Sequence, residues 1–297
     1  DRHPWFRESK CSRDNSRADW YVWADARPDG GPPNNWLSVF GGPSWQWSPW
    51  RSQYYLHNFL REQPDLNFHN PDVQQAVLDV CRTWLDLGAD GFRLDVCAFY
   101  HHDPALTDNP PAPETPRGAH FTFNPYSYQR HVHDIARPEN LAFLERLRAL
   151  TDSYDDRVLL GELHQDNHAQ LHRDYTAPGR LHLAYGYDLL GAEEMGAATI
   201  RRAAEKLGHG PDDGWPCWAL DNHDFMRSPT RIGWEETPDA AIVHLVALCC
   251  LRGAACLYQG NELALPEAEL EYHALRDPYG IEFWPAYKGR DGARTPM

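Results

Sequence analysis

The stretch GFRLDV, residues 91–96, places two charged residues inside a short apolar segment that is typical of a strand. Side chains alternate along a strand, so Arg93 and Asp95 are predicted to share one face while the apolar residues share the other. Two explanations are open at this point. The pair is either a buried ion pair or a carboxylate held in place for chemistry, and the surrounding sequence has to distinguish them.

A predicted helix directly precedes this strand. Residues 70–88, NPDVQQAVLDVCRTWLDLG, begin with a capping Asn70 and with Pro71 at the first helical position, and they end at Gly88. Apolar side chains at helical spacing predict the buried face of this helix. They are Val73, Val77, Val80, Trp84 and Leu87.

The same helix-then-strand unit recurs along the chain. Further strands are predicted within 157–163, 181–190, 217–222 and 255–263, and helices within 138–154, 196–208 and 238–252. Strands that alternate with helices indicate an α/β fold with a parallel sheet. All five predicted strands end in polar residues, which are Asp95, Glu162, Asp188, the run 222–224 and the stretch 259–262.

This regularity favours a (β/α)8 TIM barrel, in which chemistry lies at the carboxyl ends of the strands. A doubly wound open sheet is the alternative, but the Gly-rich phosphate turns typical of that fold are missing from the sequence. Five strands do not close an eight-stranded barrel, so we expect the first strands to lie mostly before residue 1. We predict a loop-rich subdomain over 1–70 and the barrel, from its third helix onward, over 71–297.

Composition argues against several partners. The 28 basic and 43 acidic residues leave a net charge of −15, which disfavours binding to nucleic acid or anionic lipid. The longest apolar run, 240–251, is too short to span a bilayer. The seven cysteines form no CxxC pair, and several lie in apolar patterns, so we expect reduced, buried thiols in a cytoplasmic protein. Tryptophans at positions 36, 45, 47 and 50 are predicted to pack within the loop-rich subdomain.

Three strand-end carboxylates, Asp95, Glu162 and Asp224, are the candidates for catalysis. Two carboxyl groups that flank a scissile bond are what glycoside cleavage requires, one as nucleophile and one as general acid. A cation beside Asp95, namely Arg93, would favour the ionised form of that carboxyl. Taken singly, each carboxylate is also compatible with a capping or salt-bridging role, but their common topological position favours chemistry.

Metal binding is the main chemical alternative. The runs HHD (101–103) and NHD (222–224) offer ligands, but the sequence has no HExxH motif and no His pair at helical spacing. A serine nucleophile is disfavoured because no GxSxG turn occurs. We therefore predict no metal and no cofactor.

Five motifs together resemble the α-amylase superfamily, glycoside hydrolase family thirteen, and within it the α-glucosidase and oligo-1,6-glucosidase branch. They are QPDLNF (63–68), GFRLDV (91–96), GELH (161–164), NHD (222–224) and RDGARTPM (290–297). The resemblance implies that Asp95 is the nucleophile and Glu162 the general acid/base, while Asp224 grips the glucose hydroxyls. It also implies roles in substrate binding for Arg93, His223, Arg290, Phe40 and Phe59.

The resemblance implies further parts. The subdomain would be inserted after the third barrel strand. The family's Asp…Asn-His motif is expected immediately before Asp1, and a C-terminal β-domain is expected after the chain. If the chain stood alone, we would expect an unfolded or inactive protein.

The expected activity is that of a retaining, exo-acting α-glucosidase that releases glucose from short α-glucosides. An oligo-1,6-glucosidase or a transglucosylase is the alternative within the family, and a non-catalytic barrel is the alternative outside enzymes. In relatives, Val after the nucleophile accompanies α-1,6 cleavage and Thr accompanies α-1,4 cleavage. Val96 suggests the former and the loop sequences suggest the latter, so the linkage stays open.

Overall fold

The computed structural model describes residues 1–112, 123–163, 168–207, 214–235 and 237–297. The chain divides into two compact units. The first unit comprises Asp1–Gly88 and Ala98–Phe143, and the second unit comprises Ala89–Cys97 and Leu144–Met297. The boundary at residue 70, which concerns the start of a barrel, stays a prediction.

The first unit is built around a small antiparallel sheet. Its elements are α1 (Pro4–Cys11), β1 (Trp23–Ala24), β2 (Trp45–Ser48), β3 (Gln53–Leu56) and α2 (Pro71–Asp86). The strands are ordered β1-β3-β2. The sequence indicated short strands and loops here but not α1, whose start is marked by Pro4 and by the His3 side chain that caps it.

Aromatic side chains form much of the core of the first unit, but not all of those predicted. Trp36 and Trp45 are buried, and the Trp36 indole donates a hydrogen bond to the carbonyl oxygen of Thr107 at 2.9 Å. Trp50 is 76% exposed, so its predicted packing is wrong, whereas Trp47 is 39% exposed. Trp47 lies two residues after Trp45 and packs against Tyr54 across the hairpin.

Helix α2 has the predicted ends but a different buried face. The Asn70 side chain accepts from the amide of Asp72 at 2.9 Å, and Gly88 takes a positive φ of 96° that suits glycine. The buried side chains are Val73, Leu78 and Leu85. Three residues of the predicted face are exposed, namely Val80, Trp84 and Leu87. Spacing identified an apolar stripe, but the neighbouring elements decide which part of a helix is covered.

The second unit contains the predicted parallel sheet. Its strands are β4 (Gly91–Leu94), β5 (Val158–Glu162), β6 (Leu183–Tyr185), β7 (Pro216–Trp218) and β8 (Ala254–Ala255). They pair in that order, each parallel to the next. The five parallel strands among the described residues confirm the predicted alternation, although each strand is shorter than predicted.

Helices separate these strands. They are α3 (Glu139–Thr151), which begins in the first unit and continues into the second, and then α4 (His168–Tyr175), α5 (Ala197–Leu207), α6 (Ser228–Ile232), α7 (Pro238–Cys250) and α8 (Pro278–Phe283). The structure confirms the predicted helices α3, α5 and α7, whereas the sequence did not predict α4, α6 and α8. No helix among the described residues combines the length and apolarity needed to cross a membrane.

Two glycines allow close packing in the parallel sheet, Gly91 at the start of β4 and Gly161 within β5. A Cβ on Gly91 would collide with the backbone of Val158 on β5. A Cβ on Gly161, next to Glu162, would collide with the side chain of Leu181. Larger residues at these positions would push the strands apart.

All seven cysteines, each within the described residues, are free thiols. Cys97 and Cys217 are buried, as expected for thiols in apolar patterns, and Cys81 is half-buried. The prediction of burial is wrong for the two helical cysteines at the end of α7, Cys249 and Cys250, which are exposed.

Candidate active site

The carboxyl ends of the parallel strands carry the predicted catalytic residues of the second unit. Asp95 directly follows β4, and Glu162 is the last residue of β5. Asp224 lies in the turn that follows β7. Because adjacent parallel strands end at the same edge of a sheet, the local order of the sequence brings Asp95 and Glu162 to one place.

Arg93 joins two of these carboxylates. Its Nη1 forms an ion pair with Asp95 Oδ1, and its Nη2 lies 2.6 Å from Glu162 Oε2. Nη2 also donates to the Tyr185 hydroxyl at 2.8 Å. Burial alone would lower the pKa of Arg93, but its hydrogen bond to Tyr185 and the charge of Glu162 outweigh burial and raise that pKa.

The two carboxylates that share Arg93 lie in opposite environments. The Asp95 side chain is 72% exposed, whereas that of Glu162 is 2% exposed. The sequence suggested an inward-facing pair on the strand, but β4 ends at Leu94 and Asp95 belongs to the following turn. The pair is therefore a partly exposed ion pair rather than a buried one.

Glu162 is surrounded by hydrogen-bond donors. Oε2 accepts from the Val96 amide at 3.1 Å in addition to Arg93, and Oε1 accepts from the Tyr187 hydroxyl at 2.7 Å. Burial, followed by the charge of Glu162, raises the pKa of both Tyr185 and Tyr187. Their hydroxyls therefore stay protonated.

Val96 takes an unusual backbone conformation directly after Asp95. Its φ is 36°, in the left-handed region that β-branched residues rarely occupy. Such a conformation costs on the order of 1–3 kcal/mol and persists where surrounding contacts enforce it. In this conformation the Val96 backbone amide donates a hydrogen bond to Glu162.

Asp224 is held by two arginines. Its Oδ1 accepts from Arg290 Nη1 at 2.8 Å and from Arg294 Nη2 at 3.0 Å, and its Oδ2 lies 3.3 Å from His223 Nε2. The Asn222 side chain accepts from the Asp224 amide at 2.9 Å, which fixes the turn that presents the carboxylate.

Arg290 is itself anchored by a second carboxylate, Asp277. The fully buried Asp277 side chain accepts from Arg290 Nη2 at 2.7 Å and from Arg290 Nε at 3.0 Å. Burial would raise the pKa of the Asp277 carboxyl, but the hydrogen bonds and charge of Arg290 outweigh it and lower that pKa. Arg294 is fixed separately, since its Nε donates to the His223 carbonyl at 2.7 Å.

Tyr187 connects the two groups of charges. Its hydroxyl binds Glu162, and its ring packs against Phe225, the neighbour of Asp224, with ring centroids 5.0 Å apart. The charge of Asp224 also contributes to the raised pKa of Tyr187. The structure thus gathers six predicted site residues in the second unit, namely Arg93, Asp95, Glu162, His223, Asp224 and Arg290.

The two predicted aromatic residues lie in the first unit. Phe40 and Phe59 contact each other with ring centroids 5.8 Å apart, and Phe59 also contacts Phe99 at 5.3 Å. A cavity of about 460 Å³ in this unit is lined partly by Asn35 and Asn109, and none of the predicted site residues lines it. The role of Phe40 and Phe59 as walls of a sugar subsite remains a prediction.

The sequence did not predict a function for four residues of the site. They are Tyr185, Tyr187, Asp277 and Arg294. Arg294 lies inside the RDGARTPM motif, so this motif was the available signal. The tyrosines alternate at the end of β6, where a strand-end position could have marked them. Asp277 carries no such signal. Only the fold shows that it pairs with Arg290.

The metal alternative gains no support from the side chains of residues 101–103. His101 and His102 are buried in the first unit beside His69, and burial lowers the pKa of His102 to about 3. Among the described residues, no group of three His, Cys, Asp or Glu side chains is arranged to hold a metal ion.

Comparison with known proteins agrees with this geometry. The family described as alpha amylase, catalytic domain, matches residues 1–297. A probable alpha-glucosidase from Rhizobium meliloti (strain 1021) is 50% identical over 303 residues, covering 100% of this chain and 55% of the relative. An oligo-1,6-glucosidase from Heyndrickxia coagulans is 31% identical over 336 residues, covering 100% of this chain and 58% of the relative.

A solved structure is also similar. The alpha-glucosyl transfer enzyme XgtA superposes with a TM-score of 0.95 at 55% identity, covering 99% of this chain and 56% of that chain. The chain thus spans about half the length of the relatives that it matches. Since the family match extends over all of its residues, the chain belongs to the alpha-amylase catalytic-domain family.

Proposed function

We propose that the protein is a retaining, exo-acting α-glucosidase that releases glucose from short α-glucosides. The observation that carries this proposal is the shared guanidinium of Arg93, which binds Asp95 with one nitrogen and Glu162 with the other. Retaining glycosidases need two carboxyl groups about 5–5.5 Å apart, and neighbouring nitrogens of one guanidinium support such proximity. The names of the glucosidase relatives support the substrate class.

In the first step of the proposed mechanism, an Asp95 carboxylate oxygen attacks the anomeric carbon of the glucosyl group. The bond from that carbon to the leaving oxygen breaks, its electron pair goes to the oxygen, and Glu162 delivers a proton to it. The exposed position of Asp95 suits a nucleophile that must reach substrate, and the buried position of Glu162 suits a positioned acid.

In the second step, water attacks the glucosyl–Asp95 ester while Glu162 accepts a proton from it. The anomeric carbon inverts twice, so the product keeps the α configuration. Asp224, fixed by Arg290 and Arg294, is proposed to bind the glucose hydroxyls. Arg290, His223, Phe40 and Phe59 are proposed to complete the subsite for that glucose.

The architecture proposed for the whole protein is a (β/α)8 TIM barrel. The five parallel strands with chemistry at their carboxyl ends support it. We propose that residues 1–70 are a subdomain inserted after the third strand, and that residues 71–297 belong to the barrel. The seven free thiols support a location in the reducing cytoplasm.

Transfer of glucose to another acceptor is the second candidate function. The similarity to a protein named as an alpha-glucosyl transfer enzyme favours it. In that reaction a sugar or alcohol hydroxyl replaces water in the second step. Product analysis at high substrate concentration separates the two, because transfer yields new glucosides whereas hydrolysis yields only free sugars. Cleavage of α-1,6 bonds is a variant of the same proposal.

The test is Asp95→Asn in the full protein, assayed on an aryl α-glucoside. We expect kcat to fall by about 10⁴-fold, because the nucleophile is removed while the shape is kept. Asp188→Asn is a matched control, since Asp188 also follows a strand end but pairs with Lys206 at 2.5 Å. Activity of Asp95→Asn near that of the control would overturn the assignment, and a β-configured first product would overturn retention.

A further inference from the structure

The two carboxyl oxygens of Glu162 have chemically different partners. Oε2 binds the Arg93 Nη2 group and the Val96 amide. Oε1 binds the Tyr187 hydroxyl. That hydrogen bond is 2.7 Å long, and the difference between the partners of the two oxygens determines which oxygen can carry a proton.

Oε2 is a poor place for a proton. A guanidinium has five N–H donors and no acceptor, and a backbone amide N–H also only donates. A proton on Oε2 would take one of its two lone pairs, so one of the two hydrogen bonds would be lost and a buried N–H group would be left unsatisfied. The ion pair with Arg93 adds an electrostatic penalty to the same step.

Oε1 is different, because a tyrosine hydroxyl can either donate or accept. We infer that Glu162 carries its exchangeable proton on Oε1, and that Tyr187 is the positioning residue that donates to the ionised carboxylate and accepts from the protonated one. This inference rests on the proposed role of Glu162 as general acid/base. Only the Tyr187 hydroxyl needs to rotate, so the remaining contacts of Glu162 stay in place in both states.

The surroundings of Tyr187 fit this role. Burial and the charge of Glu162 raise its pKa, so the hydroxyl remains neutral and does not supply the proton itself. Its ring packs against Phe225 beside Asp224. Tyr187 thus contacts Oε1 with its hydroxyl and the neighbour of Asp224 with its ring, whereas Oε2 contacts Arg93 and the Val96 amide.

The proton and electrons balance in each step. In the first, the proton leaves Oε1 for the glycosidic oxygen, that oxygen takes the electron pair of the broken bond, and Tyr187 turns from accepting to donating. In the second, Oε1 receives the proton of the attacking water and Tyr187 turns back. The new negative charge on Glu162 is thus met by a charge-assisted hydrogen bond as it forms.

The titratable and charged groups that face Glu162 come from several elements. Arg93 and Cys97 lie on and after β4, and Tyr185 and Tyr187 lie on and after β6. Tyr187 faces Asp224 as well. Tyr185 accepts from Arg93 and also interacts with Glu162 through its charge and a side-chain hydrogen bond, so it needs a comparison of its own.

The test is Tyr187→Phe in the full protein, with kcat/KM measured on aryl α-glucosides of decreasing leaving-group acidity. We expect a loss of about tenfold on the poorest leaving groups and less than about twofold on dinitrophenyl glucoside, which needs little acid assistance. The Tyr187 hydroxyl binds the ionised form of Glu162 more strongly than the protonated form. Removing this hydrogen bond therefore favours the protonated form of Glu162. The alkaline limb of the pH profile should therefore move to higher pH by about half to one unit.

Tyr187→3-fluorotyrosine is the second variant, and it keeps the ring shape if Tyr187→Phe fails to fold. Its hydroxyl is a stronger donor, so we expect the alkaline limb to move in the opposite direction, to lower pH. Tyr175→Phe is the control for loss of a buried hydroxyl in the same unit. Tyr185→Phe should slow all leaving groups alike, because it loosens Arg93.

Two results would overturn the inference. One is that Tyr187→Phe, like Tyr175→Phe, lowers kcat/KM equally for all leaving groups and leaves the pH profile unchanged. The other is a shift in the same direction for both Tyr187 variants. Failure of the proposed function is distinguishable through Glu162→Gln. If Glu162→Gln keeps activity on poor leaving groups, Glu162 is not the general acid and the proposed function fails. If Glu162→Gln loses activity selectively on poor leaving groups, the proposed function stands and the Tyr187 variants alone test the inference.

Discussion

Two groups of charges lie at strand ends of the second unit, and they are built in opposite ways. The β4–β5 cluster, consisting of Arg93, Asp95 and Glu162, has one cation between two carboxylates. The β7 cluster, consisting of Asp224, Asp277, Arg290 and Arg294, has two cations and two carboxylates. The first therefore keeps a surplus negative charge, and the second is formally neutral.

This difference indicates that the two clusters have different roles. In the β4–β5 cluster, one carboxylate is exposed and the other is buried, and unequal environments are how a site separates a nucleophile from an acid. In the β7 cluster, Arg290 joins Asp224 to the buried Asp277, which favours rigidity over reactivity. We expect the first cluster to control the chemical step and the second to control structure and binding.

Among the variants that compare the two clusters, Arg93→Met should have the largest effect. It leaves Glu162 buried beside Asp95 without a cation, and an uncompensated buried charge costs about 3–5 kcal/mol. Because the same guanidinium also holds Asp95, we separately expect kcat/KM on an aryl α-glucoside to fall by about 10³-fold.

Arg93→Lys is the matched control. Lysine keeps the charge but cannot bind two carboxylates with a planar fork, so we expect a smaller loss of about 10–100-fold. If Met and Lys variants lost equal activity, the charge of Arg93 would not matter and the contrast between the clusters would fail.

Arg290→Met should act mainly on stability. It leaves the fully buried Asp277 without its cation, and we expect the free energy of unfolding in urea to fall by about 3 kcal/mol. Arg294→Met is the control, because that side chain is 33% exposed and its loss should cost less than about 1 kcal/mol. Equal losses would contradict the proposed anchoring by Asp277.

The pH dependence of the same pair gives a sign test. The pKa of Asp277 is lowered in the folded protein, so its contribution to stability is complete above the ordinary value of 3.8 and is lost as pH falls through the lowered one. In Arg290→Met the guanidinium is lost and only the backbone amides of Arg290 and Tyr279 still oppose burial, which is the largest influence, so we expect the pKa of Asp277 to rise above its ordinary value. Stability should then decrease as pH rises above about 4, and an unchanged slope would contradict this account.

Local patterns were enough to predict the β4–β5 cluster. Arg93 and Asp95 are two residues apart, and Glu162 ends the adjacent strand, so the alternation of elements brings them together. The polar end of β6 was a weaker guide, since Asp188 binds Lys206 on α5 and the neighbouring Tyr187 is the residue that contacts Glu162.

Contacts between distant segments were beyond such patterns. Asp277 meets Arg290 across 13 residues, and Arg290 meets Asp224 across 66, at positions that no periodicity links. The exposed apolar residues of α2 show the same limit, because Trp84 matches the helical stripe but is 56% exposed. Residue type identifies what can be buried, and the tertiary neighbours determine what is buried.

A carboxylate outside both clusters extends the comparison to a site where the described residues form no ion pair with it. Asp65 of the first unit, in the QPDLNF motif, accepts from the Asn58 amide at 2.9 Å and from the Asn58 side chain at 2.6 Å. Burial raises the pKa of Asp65 to about 7. A raised carboxyl pKa adds stability at low pH that is lost as pH rises through the folded value.

We therefore expect the free energy of unfolding to fall by about 1 kcal/mol between pH 6 and pH 8, and Asp65→Asn to remove that fall. Urea titrations at several pH values measure it. Asp29→Asn, at an exposed carboxylate of the same unit, is the control and should keep the slope. The same slope in Asp65→Asn and in the control would show that another group titrates.

The smallest expected effect concerns Val96, whose amide binds the buried carboxylate of the β4–β5 cluster. Val96→Thr keeps the β-branched shape and adds a hydroxyl beside the reacting bond, so kcat should change only a few-fold. One polar group in a pocket discriminates substrates by about 1–3 kcal/mol. We expect the ratio of kcat/KM for α-1,4 over α-1,6 glucosides to rise by about tenfold at most. Val96→Ile is the control, because it changes the size of the side chain without adding a polar group. If the ratio changed equally in Val96→Ile, the effect would be due to size and not to the hydroxyl.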